Sequence, residues 1–119
     1  MALTKVTSGV LGDEYTSSSS LISAASITVD TSSADVFTLT AGHSATLNFT
    51  NVVVGDLKTL VVTGGGGSYT LTLGTVNGSS ATYNLISGAY NDTSSTKNFI
   101  QIKFISTTEA WYTISQISS

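Results

Sequence analysis

A chain of 119 residues has the size of one domain, and a split near its middle would leave halves that bury a core only with difficulty. Charged residues make up 9% of it, against roughly 25% in ordinary soluble proteins. With a net charge of −3 and no arginine, it lacks the basic footprint of a nucleic-acid binder, and with no cysteine it forms neither disulfides nor a thiolate zinc site.

Serine and threonine together make roughly a third of the chain, far above common usage. Disordered segments of that kind are poor in β-branched and aromatic residues and rich in charge or proline. Here Val, Ile, Leu, Phe and Tyr are frequent and proline is absent, so the chain can bury a core.

The first residues, "MALTKVTSGVLGDEYT", have no long apolar run behind a basic start, so neither a secretory signal nor a membrane span is expected. Leu3, Val6, Val10 and Leu11 sit among small polar residues without core register. Residues 1–29 therefore read as an N-terminal arm that anchors the molecule to another protein; an extra edge strand of the same domain is the alternative reading. Residues 30–119 read as one β domain.

From "VFTLTA" onward the chain alternates with period two. Phe37, Leu39 and Ala41 share one face, then Ala45, Leu47 and Phe49 in "SATLNFTN". "DLKTLVVT" mixes alternation with a short apolar run, "SYTLTLG" sets Tyr69, Leu71 and Leu73 against threonines, and "ATYNLISG" alternates more weakly. "NFIQIKFIS" places Ile100, Ile102 and Phe104 together, and "AWYTISQI" opposes Tyr112 and Ile114 to Trp111 and Thr113. No window carries a helical period with caps. Turn chemistry separates these runs every 8 to 12 residues or so, the spacing of an all-β antiparallel β-sandwich or jelly-roll-like domain. Gly64 to Gly67, flanked closely by matching strands, are predicted to form a hairpin tip.

The search for chemistry yields little. His43 is the single histidine and lies in a turn, so no triad can be drawn around it, and the carboxylates Asp13, Glu14, Asp30 and Asp35 lie in polar or loop contexts. The glycine run lacks the lysine and the following helix of a phosphate loop. No catalytic residue, metal ligand or cofactor is expected. Tyr90, Trp111 and Tyr112 are candidate sugar-stacking aromatics, with Asn84, Asn91 and Asp92 as hydrogen-bonding neighbours. The Thr-x-Thr pairs at Thr38/Thr40 and Thr70/Thr72 suggest the threonine arrays of ice-binding solenoids, but no fixed repeat supports a solenoid.

The order Phe37 to Leu39, Leu47 to Asn51, Gly55 to Gly67 and Phe104 to Tyr112 resembles the small β domains of tailed-bacteriophage fibre and capsid-decoration proteins. The likeness covers roughly residues 30–119 and contains no catalytic residue; it departs from the family pattern at Val76 to Tyr83, where proline and tryptophan are missing. The resemblance implies a virion structural protein, a homotrimeric capsid-decoration or head-fibre protein on the outer surface of the particle. Its partner would be the major capsid protein or another virion protein. A tail-fibre or adhesin tip that binds host-surface glycans is the alternative. Trimer formation also accords with the sequence, since subunit contact covers apolar surface and sheet edges.

Overall fold

Alternating apolar and hydroxyl side chains make two-faced strands, and the computed structural model, which describes residues 18–117, contains nine of them and no helix in that span. In chain order they are β1 (Ser18–Ser20), β2 (Ser26–Asp30), β3 (Val36–Thr40), β4 (Ala45–Thr50), β5 (Leu57–Thr63), β6 (Leu71–Val76), β7 (Thr82–Ser87), β8 (Lys97–Phe104) and β9 (Glu109–Ile117).

Strands β1, β3 and β5 lie side by side in parallel in one sheet, and β2, β4 and β6 do the same in a second. The chain runs along one sheet, turns a corner, runs along the other and returns one level further on. Three such coils make a short solenoid. The first sheet then continues with antiparallel β8 and β9 and with β7, which is parallel to β9, in the order β1-β3-β5-β8-β9-β7. The domain is therefore all-β, but the expected antiparallel sandwich or jelly roll is replaced by a largely parallel arrangement; only the β5–β8–β9 pairings are antiparallel. The missing repeat has a plain cause. Ser18 stands beside Val36 and Val36 beside Thr59, while Ile27 stands beside Leu47 and Leu47 beside Leu73, so the coils differ in length, and the β4–β6 pairing also shifts register between Leu47 and Phe49.

The core lies between the two sheets. Val29 stacks on Phe49 in the second sheet, and opposite them Phe37, Leu60 and Ile100 form a row across β3, β5 and β8; all five are buried. Phe49 meets Phe104 edge-on at 5.4 Å between ring centres, joining the sheets. Lys58 also points inward, with its ammonium donating to the Ala34 carbonyl at 3.0 Å and paired with Asp35 at 2.9 Å. Ile27 and Val29 belong to this same core. Residues 18–29, placed with the arm on sequence grounds, thus supply β1 and all of β2 but Asp30, whereas Leu3, Val6, Val10 and Leu11 lie outside the described residues.

Each corner is fastened to the next. On one side Ser23 accepts from the Gly42 N–H at 2.9 Å and Ser44 from the Thr70 N–H at 3.0 Å. On the other, Asn51 donates to Asp30 at 2.9 Å, and the Asn77 amide both accepts from the Val52 N–H at 2.9 Å and donates to the Val52 carbonyl at 3.1 Å. Asn51 and Asn77 have φ values of 58° and 50°, a left-handed conformation that asparagine tolerates better than most residues. Gly64 to Gly67 do not form a hairpin tip. They are the corner between β5 and β6, where a Cβ on Gly65 would collide with the Ala41 carbonyl and Gly66 has φ +80°.

Asn77→Ala removes both bonds to Val52 and places alanine in the left-handed region. The variant is expected to lose about 1 to 3 kcal/mol of unfolding free energy, read from urea denaturation as a lower midpoint at an unchanged slope.

Candidate functional site

The second sheet stops at β6 while the first runs on through β8, β9 and β7. The inner faces of β9 and β7 are consequently left partly uncovered. A groove of about 400 Å³ opens there, lined among others by Leu71 and Leu73 from β6, Tyr83 and Leu85 from β7, and Tyr112 and Ile114 from β9, with no charged residue in its lining. Tyr83 lies 6.4 Å from Phe49 and 6.4 Å, edge-on, from Tyr112, so an aromatic line leads from the core to the groove.

Two strand edges flank this groove. The Ala45 N–H donates to the Thr70 carbonyl at 2.9 Å, and since backbone groups alternate along a strand, those of Leu71 and Leu73 point away from β4. Further along, the Tyr83 hydroxyl donates to the Gly74 carbonyl at 2.9 Å and covers part of that edge. Burial pushes the Tyr83 hydroxyl up to about 12, which keeps it protonated as the donor. The far edge of β7 has no strand beside it among the described residues.

The three aromatics selected from the sequence do not form one site. Tyr112 and Tyr90 line the groove, while Trp111, one residue from Tyr112, faces the opposite side of the sheet and is 45% exposed. There Trp111 Nε1 donates to Glu109 Oε2 at 2.8 Å, and Asn84 from the adjacent β7 donates to the same oxygen at 3.0 Å. Asn84 therefore stands beside Trp111 on the neighbouring strand. Asn91 and Asp92 are committed elsewhere.

Residues 88–96 clamp the glycine corner. Asp92 accepts from the Gly65 N–H at 3.1 Å and the Tyr90 hydroxyl at 2.7 Å through one oxygen, and from the Tyr69 N–H at 2.8 Å through the other. Burial works against its charge, but hydrogen bonds from Gly65, Tyr90, Tyr69 and Gly67 outweigh it and hold the carboxyl below the usual aspartate value. Burial first, and then the bond to Asp92, push the Tyr90 hydroxyl up. Asn98, fully buried, ties this loop to the sheet: it donates to the Val62 and Asn91 carbonyls at 3.0 and 2.9 Å and accepts from the Asn91 N–H at 2.8 Å. Sequence reasoning missed it. The available signal was its place on the apolar face shared by Ile100, Ile102 and Phe104.

His43 meets Ser23 at 3.0 Å between two exposed corners, and this pair has no carboxylate partner among the described residues. The Thr-x-Thr pairs fall on different sheets, Thr38/Thr40 on the first and Thr70/Thr72 at the second, so they form no single array. No group of three or more His, Asp or Glu among the described residues is placed to hold a metal ion. Comparisons with protein-family models, curated proteins and solved structures found no match to this chain.

Asp92 titrates at lower pH folded than unfolded, so its contribution to stability is fully present above the ordinary value of 3.8 and fades as pH falls through that value towards the folded one. Asp92→Asn abolishes this contribution at every pH. Thermal midpoints of the two proteins are therefore expected to differ most near neutral pH and to converge below about pH 4.

Proposed function

We propose that this chain is a structural protein that assembles with copies of itself through the open groove, and that the assembly is a homotrimer serving as a capsid-decoration or head-fibre protein on the outer surface of a phage particle. The observation that carries the assembly reading is the unequal length of the two sheets, which leaves Leu71, Leu73, Tyr83, Leu85, Tyr112 and Ile114 around an uncharged groove between two free strand edges. Solvent-facing apolar surface of this kind, rimmed by unpaired edges, marks an interaction site.

The geometry also bears on symmetry. Docking the β6 edge of one subunit onto the β7 edge of the next is a head-to-tail contact, which generates a ring where the rotation between subunits closes, and a homotrimer is one such ring. The described residues offer no set of acid, base and nucleophile around the groove that would favour an enzyme over an assembly protein. The phage setting rests on the resemblance of residues 30–119, and attachment to the capsid through Leu3, Val6, Val10 and Leu11 rests on their sequence pattern alone.

Light scattering on the purified chain is expected to give about three times the monomer mass. Leu85→Glu, at the rim of the groove, and Leu73→Asp, deeper in it, should shift the mass to one subunit while the strand signal in circular dichroism persists. Each apolar side chain buried between subunits contributes about 1.5 to 3 kcal/mol, so a single charge in the groove is enough to dissociate a micromolar assembly. A wild-type monomer at that concentration would remove the assembly reading. Removal of residues 1–12 should leave a folded trimer that no longer incorporates into particles; normal occupancy of the truncated chain would place attachment on the β domain.

A further inference from the structure

A second surface lies on the opposite side of β9 from the groove. Trp111 is 45% exposed, yet its indole edge is not free: Nε1 is bound to Glu109 Oε2 at 2.8 Å, and Asn84 reaches the same oxygen from the neighbouring strand at 3.0 Å. Glu109 thus holds the ring in place and is itself fixed by Asn84 from the neighbouring strand. Lys103 is the cross-strand neighbour of Trp111 on β8, and Thr82 that of Glu109 on β7, so both share this outer face.

We infer that Trp111, Glu109, Asn84 and Lys103 form a binding site for a neutral saccharide. A pyranose ring has one face of C–H groups and a rim of hydroxyls that both donate and accept. An aromatic face takes the first and a mixed set of polar groups takes the second. The indole N–H is already satisfied within the protein, so what remains is the apolar π-face. Glu109 Oε2 carries both internal bonds, which leaves Oε1 to accept from a sugar hydroxyl, and the Asn84 amide oxygen is a second acceptor beside it. Lys103 supplies a donor from the other flank. One lysine facing a carboxylate does not make an anion site, and the chain carries net negative charge, so phosphate and nucleic acid fit this surface poorly.

Preorganisation distinguishes this arrangement from an incidental exposed tryptophan. A ring already fixed by hydrogen bonds loses little rotamer freedom on stacking. The site uses none of the residues that line the groove, although Asn84 lies on β7, whose outer edge the assembly reading also uses.

Trp111 is the single tryptophan of the chain, and its fluorescence reports this site alone. The full-length protein is titrated with a panel of neutral saccharides built from glucose, galactose, mannose and N-acetylglucosamine, as monosaccharides and short oligomers. At least one is expected to give a saturable emission change and to protect the indole from acrylamide quenching. Asn84→Ala and Glu109→Gln should each weaken that sugar roughly tenfold or more while the thermal midpoint stays within a few degrees of wild type. Trp111→Ala should abolish binding of the same sugar by calorimetry. The inference is overturned if no member of the panel perturbs the emission or if the Asn84→Ala response equals that of wild type. It is also overturned if acrylamide fails to reach Trp111 in the sugar-free protein, because a subunit then covers the ring. Light scattering on the same samples separates these outcomes from failure of the assembly reading.

Discussion

Adjacent parallel strands cannot be joined by a tight turn, because the chain must first travel back to the end from which it started. In this protein the return is made through the opposite sheet, so β2 lies between β1 and β3 in sequence, and β4 between β3 and β5. Every other feature of the solenoid follows from that path. Each coil needs two corners, and each corner leaves backbone groups that no strand pairs. The serines on one side and the Asn77 side chain on the other satisfy such groups of the neighbouring coil, and the Asn51–Asp30 side-chain bond ties two further corners together. Glycines occur where the path passes too close to another backbone for a Cβ, as at Gly65 against Ala41.

A solenoid must also end. At the C-terminal side the chain leaves β6, forms β7, and then returns to the far side of the first sheet, where β8 pairs antiparallel with β5. That reversal closes the first sheet with a hairpin but adds nothing to the second. The cost of the mismatch falls on β6, whose outer edge is covered only in part by the Tyr83 hydroxyl, and on the inner faces of β9 and β7. The groove is therefore a consequence of how the coil is terminated, and subunit association is a physical remedy for a sheet edge that the chain itself does not complete.

Which side chains face inward was legible from the sequence; how the strands pair was not. The alternation of Ala45, Leu47 and Phe49 identifies an inner face whether β4 is flanked by parallel or antiparallel neighbours, because both give one buried and one solvated side. The turn spacing was equally ambiguous, since half a coil and one arm of a meander have similar lengths. "GGGGS" signals a change of direction in either case; that this corner leads to the other sheet follows from the pairing of β6 with β4, and the Asp92 clamp that fastens it is distant in sequence. The separation of Trp111 from Tyr112 was visible from period two alone. The inward place of Lys58 could also have been read from its alternation with Leu60 and Val62, but its partner Asp35 lies on another coil and no local pattern points to it.

The shortage of charge, the most unusual property of the sequence, also finds an explanation in the fold. In-register parallel strands set the side chains of successive coils about 4.8 Å apart in columns, and like charges stacked at that spacing repel one another. Hydroxyls and amides face no such penalty and can bond along the column. Thr38 donates to Ser20 at 3.4 Å, Asn48 to Ser26 at 3.2 Å and Asn51 to Asp30 at 2.9 Å, each pair joining neighbouring coils. A surface of serine, threonine and asparagine is thus what stacked coils favour wherever the protein resides. Composition then carries little information about location, and the weight of the functional reading falls on the two places that stacking does not explain: the uncovered groove on one side of β9, and the tethered indole on the other.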